Sequence, residues 1–402
     1  VHFAERGIGT RVIVSLDHDR SWEEGIRSGE TTVLVIDAET RHVSPDQAYR
    51  KVFAVAKDAR EAGIPYIYKK TDSALRGNIG SELEAAYRAA GEPFLSFVPA
   101  LPQMNRITRG GRQYIDGVPV SKSVFGRDPF EPVTKDSVKD IIRLQSEIPV
   151  IETHGEARPG PGQAGIVVYD ATTEADIRRI GADLTVTGQN RLMAGCAGFA
   201  AILPDLLGLK RQEPETAALE RRLFVICGSV NPITRRQLDW GERVGYPRIY
   251  MAAEEKLNPE FWRSEQGAGL TRRMTQESSE NDCVILDTND RESERNTLEY
   301  ARELGMDTGQ VRSRIPETLG IILKNMLDCG LHAVILVTGG DTLLGFMKEI
   351  RQWELQPIRQ VRPGCVLTKL YYCGREHHII TKSGGFGEEN LLSELTEELK
   401  GK

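Results

Sequence analysis

The stretch KKTDSALRGN, Lys69 to Asn78, sets two lysines, an aspartate, a serine, an arginine, a glycine and an asparagine within ten residues. Arg76 carries a planar fork of donors that grips a carboxylate through two parallel hydrogen bonds. Asp72, Ser73 and Asn78 suit neighbouring hydroxyl groups, and Gly77 supplies a turn. Further groups of the same kind stand in DAETRH, with Glu39 and Arg41, and in PALPQMNRITRGGRQY, with Arg106, Thr108 and Arg109. Guanidinium groups converging at strand ends point to an acidic, hydroxylated small molecule. The plainer alternative is an ion pair between Asp72 and Arg76 at a helix start, with Ser73 as its cap.

A second set of residues suits phosphate. VICGSVNPIT, ILVTGGDTLLG and IITKSGGFGEEN each run from an apolar stretch through glycine with Ser, Thr or Asp into a helix-like segment. Glycine lets backbone N–H groups approach an anion closely, and helix starts favour negative charge. Each such loop alone is commonly a tight turn, and three in one half of the chain make a phosphate cradle. Neither G-x-x-x-x-G-K-[ST] nor a G-x-G-x-x-G following a strand occurs, which argues against a P-loop and a dinucleotide site. AGCAGFA, Ala194–Ala200, has its glycines too closely spaced for that fingerprint and reads as helix–sheet packing. His377 and His378 are adjacent, so a strand sends them to opposite faces and they are no metal pair.

The elements that must position these groups alternate. TTVLVID (Thr31–Asp37), a helix over Ser44–Gly63 with Ser44 as cap and Pro45 behind it, IPYIY (Ile64–Tyr68), a helix over Ile79–Gly91 and FLSFVPA (Phe94–Ala100) form a βαβ series. That alternation predicts an α/β fold with mainly parallel sheets covered by helices. Leu101–Gly162, with DGVP, RDPFEP and ARPGPG, reads as an excursion over the surface, after which GIVVYDATTEADIRRIG and AGFAAILPDLLG resume the pattern. A charged stretch low in β-branched residues predicts a linker over 207–222, between domains 1–206 and 223–402. The second domain alternates through LFVICGS, RIYMA, CVILD, a helix around Thr318–Leu327, HAVILVTGGDT and HHIITKSGGFG. VHFAERGIGT reads as the end of a helix capped at Gly7 or Gly9, followed by a strand over Arg11–Leu16, and suggests a preceding strand and loop.

At 402 residues two domains are expected. A formal net charge of −6 argues against nucleic acid and anionic membranes as partners. Six scattered cysteines without a C-x-x-C pair predict buried thiols of a cytoplasmic protein, and no apolar stretch nears the roughly 20 residues of a membrane span.

YKKTDSALRGNIGSELEA, VPALPQMNRITRGGRQYIDGVPV with FGRDPFEPV, CGSVNPITRRQ, VTGGDT and TKSGGFG, in that order, resemble the four-carbon acid sugar kinase family, which includes D-threonate, D-erythronate and 3-oxo-tetronate kinases. The resemblance spans nearly the whole chain. It implies an N-terminal domain binding the acid sugar, a C-terminal domain binding ATP, and an active site in the interdomain cleft. It maps Arg41, Asp72, Arg76, Gly77, Asn78 and Arg106 to the sugar acid, to which the residue reading adds Glu39 and Ser73, and Ser229, Gly339, Gly340, Asp341, Thr342, Gly384, Gly385 and Gly387 to the nucleotide. Mg²⁺ is expected with ATP, through Asp341 unless that residue caps its helix, and Asp72 is the nominee for the acceptor proton. Family members open with an acidic A-D-D-x-T-G loop that has no counterpart here, and DAETR stands where relatives tend to have Asn-Thr-Glu-Ser-Arg. The expected partners are a small sugar acid and a second copy of the chain. A sugar-acid-binding relative without phosphoryl transfer is the alternative.

Overall fold

The computed structural model describes residues 3–14, 22, 26, 31–127, 132–153, 159, 162–210, 218–291, 295–382 and 384–401. Four residues of FGRDPFEPV, most of ARPGPG, residues 211–217 of the linker, Ser383 and the end of the Arg11–Leu16 strand lie outside them. The chain divides into two compact units, Ile8–Gln212 and Phe3–Gly7 with Glu213–Lys402.

In the first unit, strands β1 (Thr10–Ile13) and β2 (Val33–Ile36) pair in parallel. A separate five-stranded sheet uses β3 (Ile67–Lys70), β4 (Phe94–Val98), β8 (Val150–Thr153), β9 (Gly165–Tyr169) and β10 (Leu192–Gly195) in the order β3-β10-β4-β9-β8, all parallel. The Pro45–Glu61 helix starts where Ser44 and Gln47 form a reciprocal capping box, a device worth about 1 kcal/mol, with Pro45 at its first position. Ile79–Ala90 ends at Gly91, whose φ of 66° is the left-handed conformation glycine adopts without strain. Leu83, Ala86, Leu95, Phe97, Ile166 and Leu192 join in its core.

Leu101–Gly162 is not a mere excursion. It holds an antiparallel three-stranded sheet of β5 (Arg106–Arg109), β6 (Arg112–Ile115) and β7 (Val118–Pro119), the helix Val138–Arg143, and β8 itself. Turn residues dominate this stretch, but Val138, Ile141 and Ile142 are buried in the core against Leu83 and Ala86. A few apolar side chains on short elements were enough to recruit it. AGFAAILPDLLG likewise resolves into two four-residue turns of helix, Ala197–Ala200 and Leu203–Leu206. Gly195 and Gly198 are packing glycines, since a Cβ there would lie 2.4 Å from the Val98 carbonyl oxygen and 2.5 Å from that of Ala100.

The second unit is built on β11 (Leu223–Cys227), β12 (Arg248–Tyr250), β13 (Cys283–Asp287), β14 (Val334–Thr338), β15 (Glu354–Arg362), β16 (Cys365–Tyr372) and β17 (Arg375–Lys382), ordered β12-β13-β11-β14-β17-β16-β15. The first five positions are parallel; β17, β16 and β15 form an antiparallel meander. β11, β13 and β14 are buried at every residue, as strands covered on both faces must be, and hence read as unbroken apolar runs. β15 and β16 escape sequence reading because Pro357 and the charged residues of ELQPIRQVR break the apolar signal. At the amino end a short 3-10 turn, Ala4–Arg6, replaces the expected helix end, and Gly7 caps it at φ 68°. All six cysteines are free; Cys329 and Cys373 are exposed, contrary to the expectation of burial, because both sit at turns. No described helix is long and apolar enough to cross a membrane.

His378 on β17 is buried, with Nδ1 3.0 Å from Glu220 Oε2. The Glu220 hydrogen bond raises the His378 pKa, outweighing desolvation. Its contribution to stability is therefore fully present below about pH 6.5, the value of an unfolded histidine, and is lost as pH rises through the higher folded value. Denaturant midpoints should fall across that window, and His378→Gln should flatten the fall; an unchanged slope in the variant contradicts the assignment.

Candidate functional site

In the first unit the polar residues gather where β3 runs into the loop before the Ile79–Ala90 helix. Asp72 is the centre. Its carboxylate accepts hydrogen bonds from Arg76 Nε and Nη2, both 3.1 Å, from Arg41 Nη2 at 3.1 Å, and from the backbone N–H groups of Ala74 (3.1 Å) and Arg76 (3.3 Å). Burial raises the Asp72 pKa, yet the Arg76 hydrogen bond and the Arg76 and Arg41 charges outweigh it and hold the carboxyl below its usual value. A carboxylate so engaged is a poor proton acceptor. In this arrangement Asp72, the nominee for the acceptor proton, orients two guanidinium groups.

Arg106 donates from Nη1 to Ser73 Oγ, and the guanidinium groups of Arg76 and Arg106 both lie over the ring of Phe125, 4.8 and 5.1 Å from its centroid. Phe125 escaped the site reading; its only signal was its place in the FGRDPFEPV motif. Cation–π contact and the Asp72 bonds fix Arg76 from two directions. Gly77, at φ 82°, lets the chain pass close to Arg41, since an added Cβ would meet Arg41 Cγ at 3.1 Å. Asn78 does not present its amide outward. Both its N–H groups are given to the Thr40 and Val43 carbonyls at 2.8 Å, and its Oδ1 accepts from Gln145 at 3.1 Å, so it braces the turn that carries Arg41.

Ser73 does not cap the helix, which starts after Asn78. The Asp72–Arg76 pair of the plainer alternative is present, but Arg41 joins it and Arg106 stands beside it, a concentration of cation greater than one structural pair needs. Glu39 lies on an exposed turn at φ 47°, its N–H bonded to Asp37. Thr108 is buried and donates to Gln113, which in turn bonds the Ser73 carbonyl, while Arg109 lies over Tyr114. A cavity of about 330 Å³ opens beside the cluster, lined by Arg41, His42, Arg76, Gly77, Asn78 and Gln145 and by apolar groups including Val43, Leu75, Val133 and Ile141.

In the second unit the three glycine loops leave the same edge of the sheet side by side. β11, β14 and β17 are parallel neighbours, with Cys227 opposite Thr338 and Thr338 opposite Lys382. The chain after β11 heads toward β12 on one side, and that after β14 toward the β15–β17 meander on the other. Loops that part in this way leave a crevice at the carboxyl ends of strands, the usual ligand position of such sheets.

The loops also touch. Thr342 is buried with its Oγ1 where a Cβ on Gly228 would come within 2.1 Å, and a Cβ on Gly384 would lie 3.0 Å from Ser229 Oγ. Gly339, at φ 97°, precedes the Gly340–Ile350 helix, whose first N–H groups are free of helical partners. A Cβ at Gly340 would meet nothing within 4 Å, so the space before that helix is open. Asp341 is exposed in the first turn of that helix. Gln237 donates to the Phe386 and Glu388 carbonyls at 3.0 and 2.9 Å, fixing the segment around Gly387. Gly385 is exposed.

Two further residues escaped sequence reading because their roles depend on neighbours remote in the chain. Asn289, after β13, donates to the Ser229 carbonyl at 3.3 Å and to Asp287 at 2.7 Å. Lys382 donates from Nζ to Thr234 Oγ1 at 3.2 Å; desolvation lowers its pKa. Among the described residues no group of three or more His, Cys, Asp or Glu is placed to hold a metal ion.

Comparison with known proteins follows the same division. Residues 1–203 match the family described as a sugar-binding N-terminal domain, and residues 224–392 match that described as a nucleotide-binding C-terminal domain. A D-threonate kinase of Salmonella typhimurium is 28% identical over 407 residues, covering 98% of this chain and 93% of its own. A D-erythronate kinase of Heliobacterium modesticaldum is 27% identical over 415 residues, covering 97% and 91%. The crystal structure of a Haemophilus influenzae protein superposes with a TM-score of 0.78 at 17% identity, covering all of this chain and 95% of its own, and so has the same fold.

Proposed function

The chain belongs to the four-carbon acid sugar kinase family, and from that premise we propose that it is an ATP-dependent kinase that phosphorylates a terminal hydroxyl of a four-carbon sugar acid of the D-threonate, D-erythronate or 3-oxo-tetronate type. The observation that carries the reading is the Asp72 hub, which holds Arg41 and Arg76 in fixed orientation beside Arg106. Two or three guanidinium groups so placed grip a carboxylate, and Ser73 adds a hydroxyl for its neighbours. Gly77 and Asn78 shape the turn, and Glu39 stands exposed at φ 47° two residues before Arg41.

On the nucleotide side, Ser229, Gly339, Gly340, Thr342, Gly384, Gly385 and Gly387 would hold the phosphates through hydroxyl and backbone N–H groups. The open space before Gly340 fits such a group. ATP supplies the transferred phosphoryl group, and Mg²⁺ offsets charge on its oxygens. A lone Asp341 suits Mg²⁺, which takes one or two carboxylates, phosphate oxygens and water instead of an all-protein cage. Phosphoryl transfer asks a protein mainly for positioning and charge, which arginines and fixed N–H donors provide. A cytoplasmic setting, where ATP is supplied and thiols stay reduced, accords with six free cysteines.

The test is a coupled ADP-release assay with Mg·ATP and D-threonate, L-threonate, D-erythronate, L-erythronate or 3-oxo-tetronate. Turnover on one acid is the expected result. Nucleotide binding without turnover on any acid would leave a binding protein and overturn the kinase reading.

A further inference from the structure

Resting on the nucleotide reading of the second unit, we propose that Lys382 is a positioning residue whose buried ammonium ties the three glycine loops together and supplies a fixed positive charge to the phosphates. Lys382 ends β17 and is 4% exposed. Its carbonyl accepts the Gly339 N–H at 3.4 Å, its Nζ donates to Thr234 Oγ1 at 3.2 Å, and Thr234 donates to the Gly384 carbonyl at 2.9 Å. One residue thus reaches the loop after β14 through its backbone and the helix after the β11 loop through its side chain. Through Thr234 it also reaches the loop after its own strand.

A buried cation is costly in folding, and an apolar side chain of similar volume is often the more stable occupant. The thiols that bear on it electrostatically, Cys365 and Cys227, are pushed up to about 11 by burial and add no negative charge at neutral pH. Neither thiol cancels the charge of Lys382, whose Nζ is tied through Thr234 to the loop around Gly384. A buried charge of this kind is screened far less than one at the surface. Mutual bracing alone would serve packing; bracing combined with a cation under three anion-binding loops serves phosphate.

Isothermal titration of the full chain with ATP, ADP and adenosine tests this in the wild type, Lys382→Met and Thr234→Val. Lys382→Met keeps the stem and removes the charge. Its Kd for ATP should rise at least about tenfold, equivalent to about 1.4 kcal/mol, with a smaller rise for ADP, none for adenosine, and a Tm no lower than wild type. Thr234→Val keeps the charge and loses the bond, so its loss should be smaller. Equal weakening for adenosine and ATP with a lowered Tm would make Lys382 a packing residue and overturn the inference. So would unchanged binding of ATP by Lys382→Met. Wild-type protein that binds no nucleotide would instead overturn the nucleotide reading and this inference with it.

Discussion

Replacing Arg76 by alanine is expected to lower kcat/KM for the sugar acid about a hundredfold to a thousandfold while leaving ATP affinity unchanged. Arg76 gives two side-chain hydrogen bonds to Asp72 and stacks on Phe125, so it is held before any ligand arrives. A charge-assisted hydrogen bond is worth about 1.5–3 kcal/mol, and its loss here removes a grip on the acid and leaves Asp72 without its main counter-charge. The repulsion of Asp72 for an incoming carboxylate then adds to the loss. Lysine at the same position should restore little, because a point charge reproduces neither the fork to Asp72 nor the stacking. ADP release with the preferred acid and titration with ATP check both halves. A variant within a few-fold of wild type would remove Arg76 from the acid site.

Asp287→Ala should be the most destabilising single change in the second unit, costing about 3–5 kcal/mol, the range for stripping one partner from a buried ion pair. Asp287 is fully buried at the end of β13 and accepts from Arg248 Nη2 at 2.7 Å and Nε at 3.1 Å, while Arg248 is 5% exposed. Arg248 also bonds Asp239 and Glu242, so removal of Asp287 would leave it held only by partners nearer the surface. The change reaches the glycine loops as well. Asp287 accepts both the backbone N–H and the side-chain amide of Asn289, and Asn289 holds the Ser229 carbonyl. Denaturant unfolding should show the lost stability, and ATP titration of the folded variant should show weaker binding. A midpoint close to wild type would mean that Arg248 finds other compensation.

Much of the architecture was legible in the chain because its signals are local. The Ser44–Pro45 helix start, the Gly91 stop, and the apolar runs of β4, β11, β13 and β14 are set by capping chemistry and by burial on both faces, properties of a few consecutive residues. The clustered arginines and the glycine loops were legible by type for the same reason, since each motif is continuous. What the sequence determined alone was therefore which residues could do chemistry and which elements carry them. Only the tertiary structure decided how they are used. It added Arg41 to the Asp72–Arg76 pair, gave the amide of Asn78 to the Thr40 and Val43 carbonyls, set Phe125 against two arginines, and bonded Lys382 to Thr234. Apart from Asp72–Arg76, an i,i+4 pair that the chain itself suggests, these roles rest on contacts between residues tens to more than a hundred positions apart, and a hydrogen bond or an ion pair depends on distance in space, which spacing along the chain does not encode.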